Sequence, residues 1–293
     1  MEIRPFQPSD APAAAQLSAF CARGEADFVL NPCWESPAEL FAEFERFAID
    51  PALHLRVSDA GDGEVAGLAG FVRRGQAPAA ALCCPIVRKD ARGKGIGGEL
   101  LRDALHLGAG LRLVLATAAI GTRNRAGYSL LTSHGFRPAR QHFLMRCTEP
   151  RRGDSTEVAA DFAEASAADA GAIHAIYSGL GFEPRDLGEM ERAIGDGRHA
   201  HAVARAGGRV VAFAELETHW PRRPWVAFVG VVPELRGRGL GSALVGWVLE
   251  RRFRDGVQSA LLMLSPANRM ALRAYEKVGF RRHRVVDVLE RSF

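Results

Sequence analysis

The stretch Arg236-Gly237-Arg238-Gly239-Leu240-Gly241-Ser242 follows an apolar run from Trp225 to Val232 and leads into an apolar-striped helical pattern. The same order occurs earlier, where Arg92-Gly93-Lys94-Gly95-Ile96-Gly97-Gly98 follows an apolar run ending at Val87. Downstream of each comes an Asn and then a Gly-Phe pair: Asn124 with Gly135-Phe136, and Asn268 with Gly279-Phe280. The separations agree at 144 residues (236 − 92, 268 − 124 and 279 − 135). One glycine cluster is a weak signal. Two, in register with two further signals, read as an internal repeat. A glycine-rich turn between strand and helix turns several backbone N–H groups toward an anion, and the helix N-terminus adds about half a positive charge. The flanking Arg and Lys side chains add more, so the sequence predicts two loops that anchor a diphosphate.

Length and composition support this organisation. A chain of 293 residues suits two domains with proper cores, and 47% hydrophobic with 25% charged residues is an ordinary globular balance. No run approaches the roughly 18 apolar residues of a membrane span, and the N-terminus shows no charged-then-apolar signal pattern. A cytoplasmic enzyme with no membrane partner is expected. The five cysteines (Cys21, Cys33, Cys83, Cys84, Cys147) all lie in the first half and match no zinc spacing. Reduced thiols and no metal centre are expected. The net charge is +4 and the basic residues are dispersed. That pattern speaks against a nucleic-acid stripe and suits an anionic small ligand.

Around the loops, hydrophobic periodicity predicts a strand at Glu2–Phe6, a helix capped by Ser9-Asp10 and running to Ala22, and a helix over Pro37–Phe47. A hairpin, His54–Ser58 with Val65–Val72, turns at Ala60-Gly61-Asp62-Gly63. Then come the strand to Val87, a helix over Ile96–Leu107, a strand near Leu111–Ala116, a helix over Asn124–His134 and a closing strand Phe136–Cys147. The second half repeats the order, with Ala168-Asp169 capping its first helix and Gly207-Gly208 turning the hairpin Ala200–Ala206 with Arg209–Glu217. The predicted organisation is a domain over 1–147, a polar linker over 148–158 and a second domain over 159–293. Each is an α/β (α+β) unit with a mixed, mostly antiparallel central sheet flanked by helices.

Two rival readings of the loops fail. Gly93-x-Gly95-x-x-Gly98 matches the dinucleotide fingerprint, but the next strand carries no acidic residue and the second loop has Ser242 at the third glycine. Neither loop has the Gly-x4-Gly-Lys-Ser/Thr pattern of nucleotide hydrolases.

The combination Arg236-x-x-Gly239-x-Gly241 with Asn268-x2-Ala271-x3-Tyr275-x3-Gly279-Phe280 resembles the GNAT superfamily of N-acetyltransferases, and the resemblance covers both halves. It implies that the loop amides hold the pyrophosphate of acetyl-CoA or another acyl-CoA. It also implies that the preceding strand splays from its neighbour and bonds the pantetheine arm, at Val231-Val232 and, in the first half, at Val87. Asn268 and Asn124 would lie beside that arm. Tyr275 takes the position of the acid that protonates the departing thiolate. The implied reaction is acetyl transfer to a primary amine of a small molecule, a protein N-terminus or a lysine, by direct attack in a ternary complex.

The halves are not equivalent. The counterpart of Tyr275 is Leu131, which has no proton to give. Tyr128 lies one turn earlier, about 4.5 Å away along the axis. Pro85 stands where the second half has Val229, removing a strand donor. Chemistry is therefore expected in the second half. For the base, Glu217 is the first choice and Glu215 the second, on a strand face shared with His219. His199 and His201 are expected on an exposed strand. Acceptor choice is expected in Ser178–Arg185, including Glu183, opposite Trp220 and Trp225. Tandem units with a degenerate first half are similar to the mycothiol synthases, which acetylate an aminothiol sugar. A reading of another class is a non-catalytic acyl-CoA binder or sensor, against which Tyr275 speaks. A covalent pseudo-dimer suits a monomer, with a homodimer as the alternative.

Overall fold

The computed structural model describes residues 2–59, 64–73, 76–152, 156–180 and 186–293. The hairpin turn at 60–63, part of the linker (153–155) and residues 181–185 of the expected acceptor segment lie outside the described residues. Two compact units are present: Met1–His142 together with Val285–Phe293, and Phe143–Arg284.

Unit 1 contains β1 (Glu2–Pro5), α1 (Ala11–Arg23), α2 (Pro37–Arg46), α3 (Pro51–His54), β2 (Leu55–Asp59), β3 (Val65–Arg73), β4 (Ala79–Val87), α4 (Ile96–Gly110), β5 (Leu115–Gly121) and α5 (Arg125–Ser133). After β6 (Arg137–Cys147) come β7 (Asp161–Glu164), α6 (Ala170–Gly179), α7 (Leu187–Gly195), β8 (His199–Ala206), β9 (Arg209–Glu217), β10 (Trp225–Val231), α8 (Leu240–Arg254), β11 (Ala260–Leu264), α9 (Arg269–Val278) and β12 (Arg281–Ser292). Strand β3 is buried at every position. It lies between β2 and β4 with helices packed on it, so both faces are apolar and no alternation shows.

The downstream signals of the repeat are helix caps. The Asn124 side chain accepts from Gly127 N (2.9 Å) and that of Asn268 from Ala271 N (3.1 Å). Gly279, at φ 106°, closes α9 in the left-handed region, and Phe280 then enters the core fully buried. Elsewhere the structure departs from the sequence reading. Leu111 still donates to Leu107 O, so α4 runs longer and β5 starts at Leu115, later than expected. Asp10 and Asp169 do not cap α1 and α6 through their side chains. They accept from the backbone of Gln7 (2.8 Å) and Ser166 (2.9 Å), closing a short turn ahead of each helix, and are gripped by Arg4 and Arg205.

The compact units do not coincide with the sequence repeats 1–147 and 159–293, because their closing strands are exchanged. In unit 1 the antiparallel neighbour of β5 is β12, from Val286 opposite Gly121 to Ser292 opposite Leu115. In unit 2 the neighbour of β11 is β6, from Phe143 opposite Leu264 to Cys147 opposite Ala260. Each of β5 and β11 has an edge that needs a partner, and the strand supplying it also brings apolar side chains. Val286, Val288 and Leu289 are buried in unit 1, and Leu144, Met145 and Cys147 in unit 2.

In both units the two strands next to the glycine loop diverge. The parallel pairing of β4 with β5 stops after Ala79–Ala81, and that of β10 with β11 is confined to Trp225 opposite Leu261. The sheet of unit 2 has two apolar faces. One, under α8 and α9, gathers Ala212, Ala214, Leu216, Val229 and Val231. The other, under α6 and α7, gathers Ile173, Met190, Val203, Phe213 and Phe228.

Candidate functional site

The two loops have the same backbone. Gly93 and Gly237 sit at φ 77° and 80°, and Gly95 and Gly239 at 84° and 82°. These values lie in the left-handed region that side-chain-bearing residues rarely adopt. A Cβ at Gly93, Gly95 or Gly237 would meet nothing within 4 Å. Backbone conformation rather than packing thus requires glycine there, and the space above the loop is open. Gly95 and Gly239 are the N-caps of α4 and α8; in α4 the Gly98 N–H already donates to Gly95 O (3.0 Å), and the N–H groups ahead of it have no intrahelical partner. Arg92 Nε donates to Val87 O (2.9 Å), and Arg236 Nε to Val231 O (3.0 Å), so each Arg ties its loop to the strand end; Arg236 adds charge beside its loop, whereas Arg92 also pairs with Asp27. The Ser242 hydroxyl donates to Gly239 O (2.8 Å) and braces the turn. Open glycines, free helix N–H groups and a guanidinium are the donors that a diphosphate needs, so these residues fit the pyrophosphate of acetyl-CoA.

Tyr275 lies on α9 and packs on the α8–α9 face with Val229 and Val231. Its ring meets Phe280 edge-on at 5.6 Å between centroids. Burial pushes the phenol up to about 12, which keeps it a proton donor. Asn268 is exposed apart from its capping bond. Val231 O accepts from Arg236, and Val232 N–H is given to Val211 O (3.0 Å). In unit 1, Leu131 is buried, and a cavity of about 240 Å³ opens beside Arg92, Gly93, Gly97 and Leu130. Asn124 is buried there too, and its Nδ2 donates to Phe28 O (3.2 Å).

On the opposite face of unit 2 the structure assembles a cluster that the sequence reading dispersed. His199 and His201 are not on an exposed strand: β8 is covered by α7, and His201 is only 5% exposed. Cross-strand register sets His201 against Glu215 and His199 against Glu217. Glu215, 2% exposed, has Oε1 3.0 Å from His199 Nδ1 and Oε2 3.8 Å from His201 Nε2. A buried carboxylate is costly unless partnered, and both imidazoles lie within ion-pair distance of it. The missed signal was the period-two match of His-x-His with Glu-x-Glu across a hairpin. Because side chains alternate along a strand, Glu217 shares the face of Glu215 and Phe213. In β10 the register shifts between Val226, opposite Leu216, and Phe228, opposite Glu215. Both carboxylates therefore flank this irregularity, beside the point where β10 leaves β11. His219 does not extend the face, since β9 ends at Glu217 and its ring lies tilted against Trp220, centroids 5.0 Å apart. Trp220 is buried under Arg223, whereas Trp225 stays half-buried at the start of β10.

Among the described residues, no helix is long and apolar enough to cross a membrane, and no group of three or more His, Cys, Asp and Glu is arranged to hold a metal ion. The five cysteines are free thiols, all buried.

Comparison with known proteins gives a consistent result. The family model described as Acetyltransferase (GNAT) family matches residues 24–136 and again 170–280. A mycothiol acetyltransferase of Streptomyces griseus is 28% identical over 251 residues, covering 79% of this chain and 78% of that protein. One from Nocardia farcinica is 29% identical over 238 residues, covering 75% and 77%. Among solved structures, a GCN5-related N-acetyltransferase from Sphaerobacter thermophilus aligns with a TM-score of 0.79 at 22% identity, covering 99% of this chain and 95% of that one. A tandem GNAT protein from the clavulanic acid biosynthesis pathway aligns at 0.73 and 16% identity, covering 99% and 98%. At these identities the two structures show the fold alone.

Proposed function

The chain belongs to the GNAT acetyltransferase family, and from that premise we propose that its C-terminal half transfers an acetyl group from acetyl-CoA to a primary amine of a small molecule by direct attack in a ternary complex. Acetyl-CoA supplies an acyl thioester. The residues that would hold it are the loop Arg236–Ser242, the strand end Val231-Val232 and, alongside, Asn268. The observation that carries the reading is the disposition of proton-handling groups about the diverging strands: Tyr275 on the α8–α9 face, Glu215 and Glu217 on the α6–α7 face. An amine must lose a proton and a thiolate must gain one, so an acid and a base on opposite faces serve the two ends of one displacement. Tyr275, kept protonated by burial, is the acid. Glu217, half-buried at the mouth of β9, receives the amine proton, directly or through water. Glu215 holds His199 and His201 and acts as a positioning residue behind it.

The test is acetyl-CoA-dependent thiol release against a panel of small primary amines, with wild type and Tyr275→Phe. Loss of the acid should lower kcat by about 10²–10⁴-fold, a typical worth of general-acid catalysis, and leave acetyl-CoA binding unchanged. Equal turnover by the variant would remove Tyr275 from the reaction. No turnover with any amine would favour the non-catalytic binder. Within the panel, the names of the curated relatives favour a mycothiol-type acceptor, an aminothiol sugar, as the first amine to offer.

A further inference from the structure

The loop between the first two helices of unit 1 spans 24–36. In unit 1 its middle runs into the gap between β4 and β5. Leu30 N donates to Ala119 O (2.8 Å), Gly121 N to Phe28 O (3.0 Å), and Cys84 N to Asn31 O (2.7 Å). Val29 makes an antiparallel bridge with Ile120. The Asn124 carboxamide, whose counterpart Asn268 is exposed, donates to Phe28 O. Residues Phe28–Asn31 therefore form a short inserted strand, bonded on both sides, in the space where β4 and β5 part.

The insert is packed as well as bonded. Phe28 and Val29 are each 3% exposed. Phe28 lies against Gly121, where an added Cβ would come within 3.2 Å of Phe28 Cβ. The corresponding position in the second half, 144 residues on, is Ser265. Arg92 of the glycine loop meets Asp27, the residue before the insert, at 2.5 Å, so loop and insert are joined. The cavity of about 240 Å³ that remains is bounded by the loop, Pro85–Val87 and the start of α5. That is below the roughly 300–1,000 Å³ of pockets enclosing a whole drug-sized ligand. Cys21 reaches this cavity, but burial pushes its thiol up to about 11, so it contributes no thiolate there.

An extended amide-bearing arm binds between diverging strands by adding itself as a strand. In unit 1 the chain has already done so with its own backbone. We propose that unit 1 is a site for the nucleotide-diphosphate end of coenzyme A alone, with Phe28–Asn31 occupying the track of the acyl-pantetheine arm. The site then binds CoA and acyl-CoA without reading the acyl group, and it holds no thioester in a reactive position. This rests on the reading of both glycine loops as coenzyme loops.

Native mass spectrometry of the full chain tests it, with acetyl-CoA and with the pantetheine-free fragment adenosine 3′-phosphate 5′-diphosphate as probes. Gly239→Val strains the unit 2 loop and isolates the unit 1 site. Gly95→Val does the converse. In Gly239→Val the two probes should bind equally, within about threefold. In Gly95→Val acetyl-CoA should be favoured by roughly tenfold or more, the worth of one or two strand hydrogen bonds. A tenfold preference for acetyl-CoA in Gly239→Val would overturn the proposal. So would no binding by Gly239→Val while Gly95→Val still binds acetyl-CoA, and that result would leave the acetyltransferase reading intact. No binding by wild type would remove both. Amide hydrogen exchange of wild type gives a test free of variants. Leu30 and Gly121 should keep their protection in saturating acetyl-CoA, and loss of it would show the insert displaced and the proposal wrong.

Discussion

Deleting the last nine residues, Val285–Phe293, should unfold unit 1 and spare unit 2, the reverse of what the sequence repeat suggests. Within that segment Val286 and Leu289 are 0% exposed and Val288 6%. Burial of a Val or Leu side chain is worth about 1.5–3 kcal/mol, so losing three removes roughly 4.5–9 kcal/mol, an upper figure because denatured chains already bury part of this surface. The ladder from Val286–Gly121 to Ser292–Leu115 goes as well, leaving the β5 edge open. Phe293, which packs against Phe71 with ring centroids 6.2 Å apart, is also removed. Against a total domain stability of about 5–15 kcal/mol, unit 1 retains little. Hydrogen exchange read by peptide is the assay. Protection over Leu115–Gly121 should collapse toward that of free chain, while the peptides of β10 and β11, whose edge partner is Phe143–Cys147, keep theirs. Leu289→Ala is the gentler version, with an expected cost of about 2–5 kcal/mol confined to unit 1. If protection falls in β11 and holds in β5, the closing strands are not exchanged and the division into units is wrong.

Two further outcomes concern the proposed chemistry. Because burial raises the Tyr275 phenol from 10 to about 12, its contribution to stability is fully present below about pH 10 and is lost as pH climbs toward 12. The phenolate signal missing from Tyr275→Phe should appear only well above pH 10 in an alkaline titration, and ionisation of this ring near pH 10 would contradict its burial. The two carboxylates should separate by readout. Glu217→Gln should lower kcat by about 10²-fold or more with little change in melting. Glu215→Gln should instead cost roughly 1–3 kcal/mol of stability, the loss when a buried polar contact is broken, read as a lower melting temperature with kcat largely kept. Unchanged turnover in Glu217→Gln would move the base elsewhere.

What the sequence revealed and what it concealed follow from the range of the interactions. The glycine loops were legible because left-handed φ admits few residues but glycine, and the Asn and Gly-Phe signals because helix caps are local. All of these are decided within a few residues of chain. The Glu215–His199–His201 cluster was half legible: Glu215 and Glu217 were marked, but pairing them with His199 and His201 needs the register of β8 on β9, which the Gly207-Gly208 turn fixes only once the hairpin is built. The exchange of closing strands was not legible. β6 and β12 follow the same Gly-Phe signal, and nothing in their alternation says whether the strand returns to its own half. That is settled by which open edge its apolar face fills.

The insert at Phe28–Asn31 lay beyond reach for a related reason. From the sequence, the first half looked degenerate through Leu131 and Pro85, both losses of chemical capacity. The structure adds a gain, a strand supplied by the chain itself. In the proposed reading the two ends of one ligand are held by different parts of this fold, the diphosphate by a turn and a helix N-terminus, the arm by a gap between strands. A turn depends on a few φ values and a gap on what else enters it, so one can persist while the other closes. Unit 1 keeps its glycines within a few degrees of those in unit 2 and keeps the Arg-to-strand bond at nearly the same length. Separate readout of the two ends accounts for an open cradle beside a closed track, and it makes the pantetheine-free nucleotide the informative probe.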